Sequence, residues 1–132
     1  MSGASSRGRW LPPALWAVVV VTSSSWPNPD LPPVPSGSDK VTHLALYGVL
    51  GFLLGRAGPE LVGRGRALAA TWLGLALFAV VDEWHQRFIP GRSTDPRDWG
   101  ADVLGAALGL LLAAGLRRRA LRAAGAAGAP AV

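Results

Sequence analysis

A histidine in the first half of the chain lies among polar residues at helical spacing. Asp39, His43 and Tyr47 are four residues apart in sequence, so on a helix they form one stripe, with Lys40 beside it. Histidine gains and loses a proton near neutral pH. His43 is therefore a candidate general base or proton shuttle.

Two later segments also carry polar residues on one helical face. Glu83 and Gln86 are three residues apart, and Asp98 and Asp102 are four residues apart. We predict that Glu83 or Asp98 orients His43, and that these three residues form the catalytic group. Gly105 and Gly109 follow Asp98 and Asp102 at helical spacing, so these four residues share one face of the predicted helix.

The other polar residues of these segments are candidate substrate-binding residues. Lys40 and Arg92 can hold an anionic group such as a phosphate or a carboxylate, because both side chains donate charged hydrogen bonds. The predicted substrate-binding set is Asp39, Lys40, Tyr47, Gln86, Arg92, Ser93 and Asp102.

Metal chemistry is an alternative use of the same residues. The nitrogen and oxygen ligands on offer are His43, Glu83, His85, Asp98 and Asp102. A metal-dependent membrane hydrolase therefore stays open, but no His-Glu-x-x-His run occurs. The chain also has no cysteine, which excludes disulfides and thiolate ligands. We predict no metal site and no cofactor.

Four apolar blocks must position these residues. Half of the chain is hydrophobic and only 16% is charged, against about 25% in soluble domains. The blocks span about residues 10–25, 39–56, 67–87 and 98–116. The last three approach the roughly 20 residues that cross a bilayer only by including polar residues at one end. We predict an all-α integral membrane bundle of four transmembrane helices; a soluble bundle is the alternative, but little polar face is left for water.

The distribution of charge predicts the orientation of the four spans. One set of ends and loops carries nine basic residues and one acid, whereas the other carries four basic residues and seven acids. The positive-inside rule then places both termini in the cytoplasm and the acidic ends outside. We expect residues 1–9 to be a cytoplasmic N-terminus and residues 118–132 a disordered cytoplasmic tail. The first block has an alternative interpretation as a signal peptide, because basic residues, an apolar stretch and small residues follow one another there.

Glycine and proline predict two further local features. Gly105 and Gly109 form a small-xxx-small pattern, which lets helices pack closely, although 17 glycines also produce such a pattern by chance. Five prolines between Trp26 and Ser38 predict an extended outer loop.

Two sequence segments resemble a known family. DKVTHLALYGVLGFLLG, from Asp39, and DEWHQRFIPGRSTDPRDWGADVLGAALG, ending at Gly109, resemble the two signatures of the VanZ-like membrane proteins. The resemblance implies a multi-span helical protein, and the family's named member is linked to teicoplanin resistance in bacteria. One position departs from the pattern: Asp102 stands where the family has Asn, which adds a negative charge and removes an amide donor.

Three functions follow for a protein that we expect in the bacterial cytoplasmic membrane. The first is binding or modifying a cell-wall or lipid-linked component at the outer face. The second is a non-enzymatic scaffold whose polar residues only lock the bundle, and the third is the hydrolase above. The expected partners are the lipid bilayer and an envelope substrate. Nucleic acid is not expected, because no aromatic residues alternate with the basic ones.

Overall fold

The computed structural model describes residues 8–27 and 37–127, in which all regular structure is helical. The four helices are α1 (Leu11–Ser24), α2 (Ser38–Ala57), α3 (Gly65–Gln86) and α4 (Pro96–Ala127), and a 3-10 helix (Pro59–Leu61) follows α2. The prediction of an all-α class with four helices is confirmed for these residues. Most of the predicted extended outer loop, residues 28–36, lies outside them.

Proline and glycine mark the helix ends. Pro12 and Pro13 lie in the first turn of α1, where a missing N–H costs nothing. Gly37 before α2 and Gly91 between α3 and α4 have φ angles of 91° and 77°, which glycine adopts without strain. Pro96 begins α4. The dipeptides Pro90-Gly91 and Asp95-Pro96 therefore mark the segment between the last two helices, where helical structure is interrupted.

Helix α4 is longer than the sequence analysis predicted. Residues 118–127 continue the helix, so the disordered tail expected from residue 118 is not seen over this stretch. The reason is local: alanine, leucine and arginine are strong helix formers, and no proline interrupts them before Pro130. At 32 residues the helix is about 48 Å long.

Glycines let α2 and α4 form the most extensive helix pair of the bundle. A Cβ atom on Gly105 would collide with the backbone of Leu44, and one on Gly109 would collide with the carbonyl oxygen of Gly48. Only glycine permits this approach of two backbones. The contacts place Gly105 and Gly109 inside the α2–α4 interface.

Helix α1 is a packed member of the bundle. Val20 is fully buried, and the indole Nε1 of Trp16 donates a hydrogen bond of 2.9 Å to the carbonyl oxygen of Leu46 on α2. These contacts show that α1 packs in the bundle, whereas the signal-peptide interpretation of the first block stays untested. The core that it joins contains Tyr47, Leu50, Leu75, Ala79, Ala106 and Leu110.

The outer surface of the bundle is rich in large apolar side chains. Leu77 and Val81 on α3 are 67% and 65% exposed, and Leu112 on α4 is 56% exposed. Helices α3 and α4 are both long and apolar enough to cross a membrane. The spans predicted for α1 and α2, and the side of the membrane on which the termini lie, stay predictions.

Candidate functional site

The predicted polar residues meet at one end of the bundle, which we call the polar end. Ser24 at the end of α1 contacts Asp82 near the end of α3, and His43 near the start of α2 contacts Asp102 near the start of α4. Successive helices therefore run in opposite directions. This arrangement brings together polar groups that lie up to 69 residues apart in sequence.

His43 is paired with Asp102. The imidazole Nδ1 of His43 lies 2.9 Å from Oδ1 of Asp102, and the contact is buried. Gly105, one turn after Asp102, brings α4 against the α2 backbone at Leu44 and so allows this approach. The prediction that Glu83 or Asp98 orients His43 was therefore wrong. Helix packing makes Asp102 the hydrogen-bond partner of His43.

Lys40 is shared among three acids, in an arrangement that we call the Lys40 cluster. Its Nζ donates hydrogen bonds of 3.0, 3.1 and 3.0 Å to Asp39, Asp95 and Asp98. The three donors of this ammonium group are thus all used within the protein, which does not fit the predicted role of Lys40 in holding an anion. The backbone N–H of Arg97 and the ammonium of Lys40 hold the pKa of Asp95 below its ordinary value.

Three residues of this end, Ser24, Asp82 and Asp95, were not among the predicted site residues. The hydroxyl of Ser24 donates a hydrogen bond of 2.7 Å to Oδ2 of Asp82, and the Tyr47 hydroxyl donates one of 3.4 Å to the same oxygen. Ser24 tethers α1 to α3, but nothing distinguished it from its serine neighbours in sequence. Asp95 was not predicted either, although an acid just before a helix is a sign of a capping or pairing role.

Three buried polar atoms have no hydrogen-bond partner within residues 8–27 and 37–127. They are Oε2 of Glu83, Nε2 of Gln86 and Oδ2 of Asp102. The other carboxylate oxygen of Glu83 accepts a hydrogen bond of 2.8 Å from the backbone N–H of Asp95, so Glu83 positions the segment before α4. Buried polar groups are nearly always paired, so the polar end retains unused hydrogen-bonding capacity.

A cleft of about 280 Å³, which we call the Arg92 cleft, opens at the polar end between α1 and α2. Its polar lining comes from Ser23, Ser24, Ser38, Asp39, Thr42, His43, Gln86 and Arg92, and its apolar lining from Trp26, Pro27 and Leu46. Four of the predicted site residues, Asp39, His43, Gln86 and Arg92, therefore share one cleft. The predicted residues that do not line it are Lys40, Tyr47, Glu83, Ser93, Asp98 and Asp102.

Two of those residues lie apart from the Arg92 cleft. Ser93 is exposed on the segment between α3 and α4. Glu83 lines a separate groove of about 290 Å³, together with Trp84 and Trp99. Of the predicted catalytic group, His43 lines the Arg92 cleft, Glu83 lines this groove, and the buried Asp98 lines neither.

Arg92 is the cationic group of the cleft. Its Nε and Nη2 atoms donate hydrogen bonds of 3.2 and 2.8 Å to the backbone carbonyl oxygens of Trp26 and Ser23, at the end of α1. It makes no ion pair with any acid in the described part of the chain. The guanidinium is therefore held in place, and no carboxylate of residues 8–27 and 37–127 compensates its charge.

Metal binding finds no support in this geometry. Across residues 8–27 and 37–127, no three His, Asp or Glu side chains are grouped so that they could hold a metal ion. The acids are instead distributed over Lys40, His43 and Ser24.

Comparison with known proteins identifies the family. The VanZ/LLP1 family model matches residues 8–117, which contain all four helix starts and every residue of the Arg92 cleft. The chain belongs to the VanZ/LLP1 family. No curated protein and no solved structure matches it. The match confirms the resemblance seen in the two sequence segments.

The cleft of this VanZ/LLP1 protein can perform two kinds of chemistry. With Asp102 ionised, the Nδ1–H of His43 points to the carboxylate, and Nε2 is left as an acceptor for a proton from a bound group. Arg92 can bind a phosphate or carboxylate group through its free N–H groups. Proton acceptance and anion binding thus meet in one cleft.

Proposed function

We propose that this VanZ/LLP1 protein is a multi-pass protein of the bacterial cytoplasmic membrane that binds a cell-envelope component in the Arg92 cleft. The component's anionic group binds Arg92, and His43, oriented by Asp102, accepts a proton from it. The observation that carries the proposal is an arginine that pairs with no acid among the described residues, in the same cleft as a carboxylate-paired histidine.

Membrane integration is supported by the surface of the bundle. Large apolar side chains such as Leu15, Leu77 and Leu108 are more than half exposed, on three different helices. Burying such a surface in lipid removes it from water, at about 25 cal/mol per Å². We propose that all four helices cross the bilayer, with the polar end outside and both termini in the cytoplasm, because the basic residues collect at the opposite end.

A link to glycopeptide resistance is the finer part of the proposal. It rests on the resemblance to the VanZ-like proteins and on the placement of the cleft at the proposed outer face, where cell-wall precursors are exposed. The test is the teicoplanin tolerance of cells that produce His43→Ala or Arg92→Ala. We expect either substitution to abolish the protection that the parent chain confers.

The matched control for this test is Arg97→Ala, which removes an exposed arginine outside the cleft. Membrane levels of all three variants are measured with a tagged chain, so that lost protein is not taken for lost function. Unchanged tolerance in the two cleft variants, at equal protein levels, would disprove the envelope function.

A scaffold is the second candidate, and the Lys40 cluster favours it. One ammonium joins α2 to Asp98 of α4 and to Asp95 before that helix, so these polar contacts are internal. In this case Lys40→Gln lowers the stability of the bundle in detergent, while His43→Ala and Arg92→Ala change tolerance only in proportion to their protein levels. A stable variant that has lost protection would refute the scaffold.

A further inference from the structure

We infer that the ligand of the Arg92 cleft carries an ammonium group as well as an anionic group. This inference rests on the proposed function and specifies the class of ligand. Its basis is the separation of charge along the cleft lining, where Arg92 pairs with no acid of residues 8–27 and 37–127 and Asp39 belongs to a cluster with excess negative charge.

The anion-binding part of the cleft is Arg92. A guanidinium has five N–H donors. Two of them bond the carbonyl oxygens of Trp26 and Ser23, which fixes the side chain at the end of α1. The Nη1 atom has no partner within the described residues. Its two N–H groups can therefore take the oxygens of a phosphate or a carboxylate without breaking a bond inside the protein.

The ammonium-binding part is the rim at Asp39. In the Lys40 cluster one positive charge faces the three carboxylates of Asp39, Asp95 and Asp98, which leaves an excess of two negative charges when all three are ionised. Of these acids, Asp39 has the most exposed side chain, at 52%, and it lines the cleft. An ammonium group beside Asp39 would reduce this excess, whereas a ligand with only negative groups would add to it.

The size of the cleft limits the ligand. The volume of the cleft is about 280 Å³. A small zwitterionic unit such as ethanolamine phosphate fits this space, and a whole glycopeptide does not. The same chemistry occurs in an aminophospholipid headgroup and in a free ethanolamine phosphate, so the experiment distinguishes these two sources.

The test measures the binding of three soluble probes to the purified full-length protein in detergent by calorimetry. The probes are O-phosphoethanolamine, methyl phosphate and ethanolamine. We expect O-phosphoethanolamine to bind roughly tenfold more tightly than methyl phosphate, since it adds one charge-assisted contact. Equal affinities for these two probes would overturn the inference.

Two variants assign the contacts. Asp39→Asn should bring the affinity ratio of the two phosphate probes close to one without weakening methyl phosphate binding, and Arg92→Gln should weaken both. Arg97→Gln, which carries its change outside the cleft, should leave all affinities unchanged. A loss of affinity in Asp39→Asn that is the same for both phosphate probes would also overturn the inference. Circular dichroism checks that each variant retains its helices.

A lipid arm identifies the source of the ligand. In nanodiscs of equal phosphatidylethanolamine and phosphatidylglycerol content, native mass spectrometry reports which lipid stays bound. Retention of phosphatidylethanolamine that Asp39→Asn abolishes supports a lipid ligand. If the protein retains both lipids equally but is selective for soluble O-phosphoethanolamine, the result supports a water-soluble ligand.

The outcome is separable from that of the proposed function. Loss of teicoplanin tolerance in His43→Ala without any selectivity for O-phosphoethanolamine would leave the envelope function in place and remove only the zwitterionic ligand. Selectivity for O-phosphoethanolamine with unchanged tolerance would remove the envelope function and leave the zwitterionic ligand in place.

Discussion

The imidazole of His43 and the carboxylate of Asp102 form a buried pair, with Nδ1 and Oδ1 2.9 Å apart and exposed fractions of 8% and 1% for the two residues. Each side chain supplies the hydrogen-bond partner that the other lacks. The pair joins α2 to α4 at the point where the Arg92 cleft reaches the interior of the bundle. Both its stability and its chemistry can be tested by substitution.

Removing His43 should destabilise the bundle more than removing the charge of Asp102. His43→Leu leaves a buried carboxylate without a partner, which costs about 3 kcal/mol. Asp102→Asn keeps an oxygen acceptor for Nδ1–H and should cost about 1 kcal/mol. The free energy of unfolding, measured by titration with sodium dodecyl sulfate, provides the comparison. The double substitution to leucine should recover part of the loss, and equal costs for the two single variants would contradict the pairing.

Gly109→Ala should disrupt the bundle, because the added Cβ would meet the carbonyl oxygen of Gly48 on α2. We expect a loss of more than about 2 kcal/mol in unfolding free energy, within the range of overpacked cores. Gly115→Ala on the same helix is the matched control, since a Cβ there has no neighbour within 4 Å. It should stabilise α4 by about 0.5–1 kcal/mol, as alanine is the better helix former. Similar effects of the two substitutions would argue against close packing of α2 and α4.

Acid should weaken the Lys40 cluster through Asp95. The folded-state pKa of Asp95 is lowered, first by the backbone N–H of Arg97 and then by Lys40. A lowered pKa stabilises the folded state above the unfolded value of about 3.9. This contribution disappears as the pH falls through the folded-state pKa.

The measurement is thermal unfolding in detergent between pH 2 and pH 6. The parent chain should lose stability below pH 4 by a larger margin than Asp95→Asn, which has no carboxylate to protonate. Asp39 and Asp98 also face Lys40 and are present in both proteins, so the difference between the two curves isolates Asp95. Parallel curves would show that Asp95 does not contribute to acid sensitivity.

The proposed topology can be tested with single cysteines, because the chain has none of its own. Thr94→Cys lies on the exposed segment before α4, and Ala123→Cys lies on the exposed end of that helix. In intact cells a membrane-impermeant maleimide should label Thr94→Cys alone, and permeabilised cells should show labelling of both. Leu77→Cys, which is highly exposed in the bundle but faces lipid in the proposal, should remain unlabelled in either case. Labelling of Ala123→Cys in intact cells would refute the orientation.

Much of the fold was determined by the sequence alone. The apolar blocks predicted four helices, and Gly91 and Pro96 marked the break before the last one. Helical spacing also predicted which side chains share a face, such as Asp39 and His43, which both line the cleft. These features are local, because the period of a helix and the conformational limits of glycine and proline act within a few residues.

Only the tertiary structure decided which groups pair across helices. Helical spacing placed Glu83, Asp98 and Asp102 at the same end of the bundle. The close approach of α2 and α4 at Gly105 decided that Asp102 is the one that pairs with His43. Packing also pairs Lys40 with three acids, whereas Arg92 pairs with no acid in the part of the chain that the structure describes. The periodicity of a single helix fixes the depth and face of a residue, whereas the rotation and separation of two helices depend on which backbones can touch. Partner choice at the polar end therefore follows from packing.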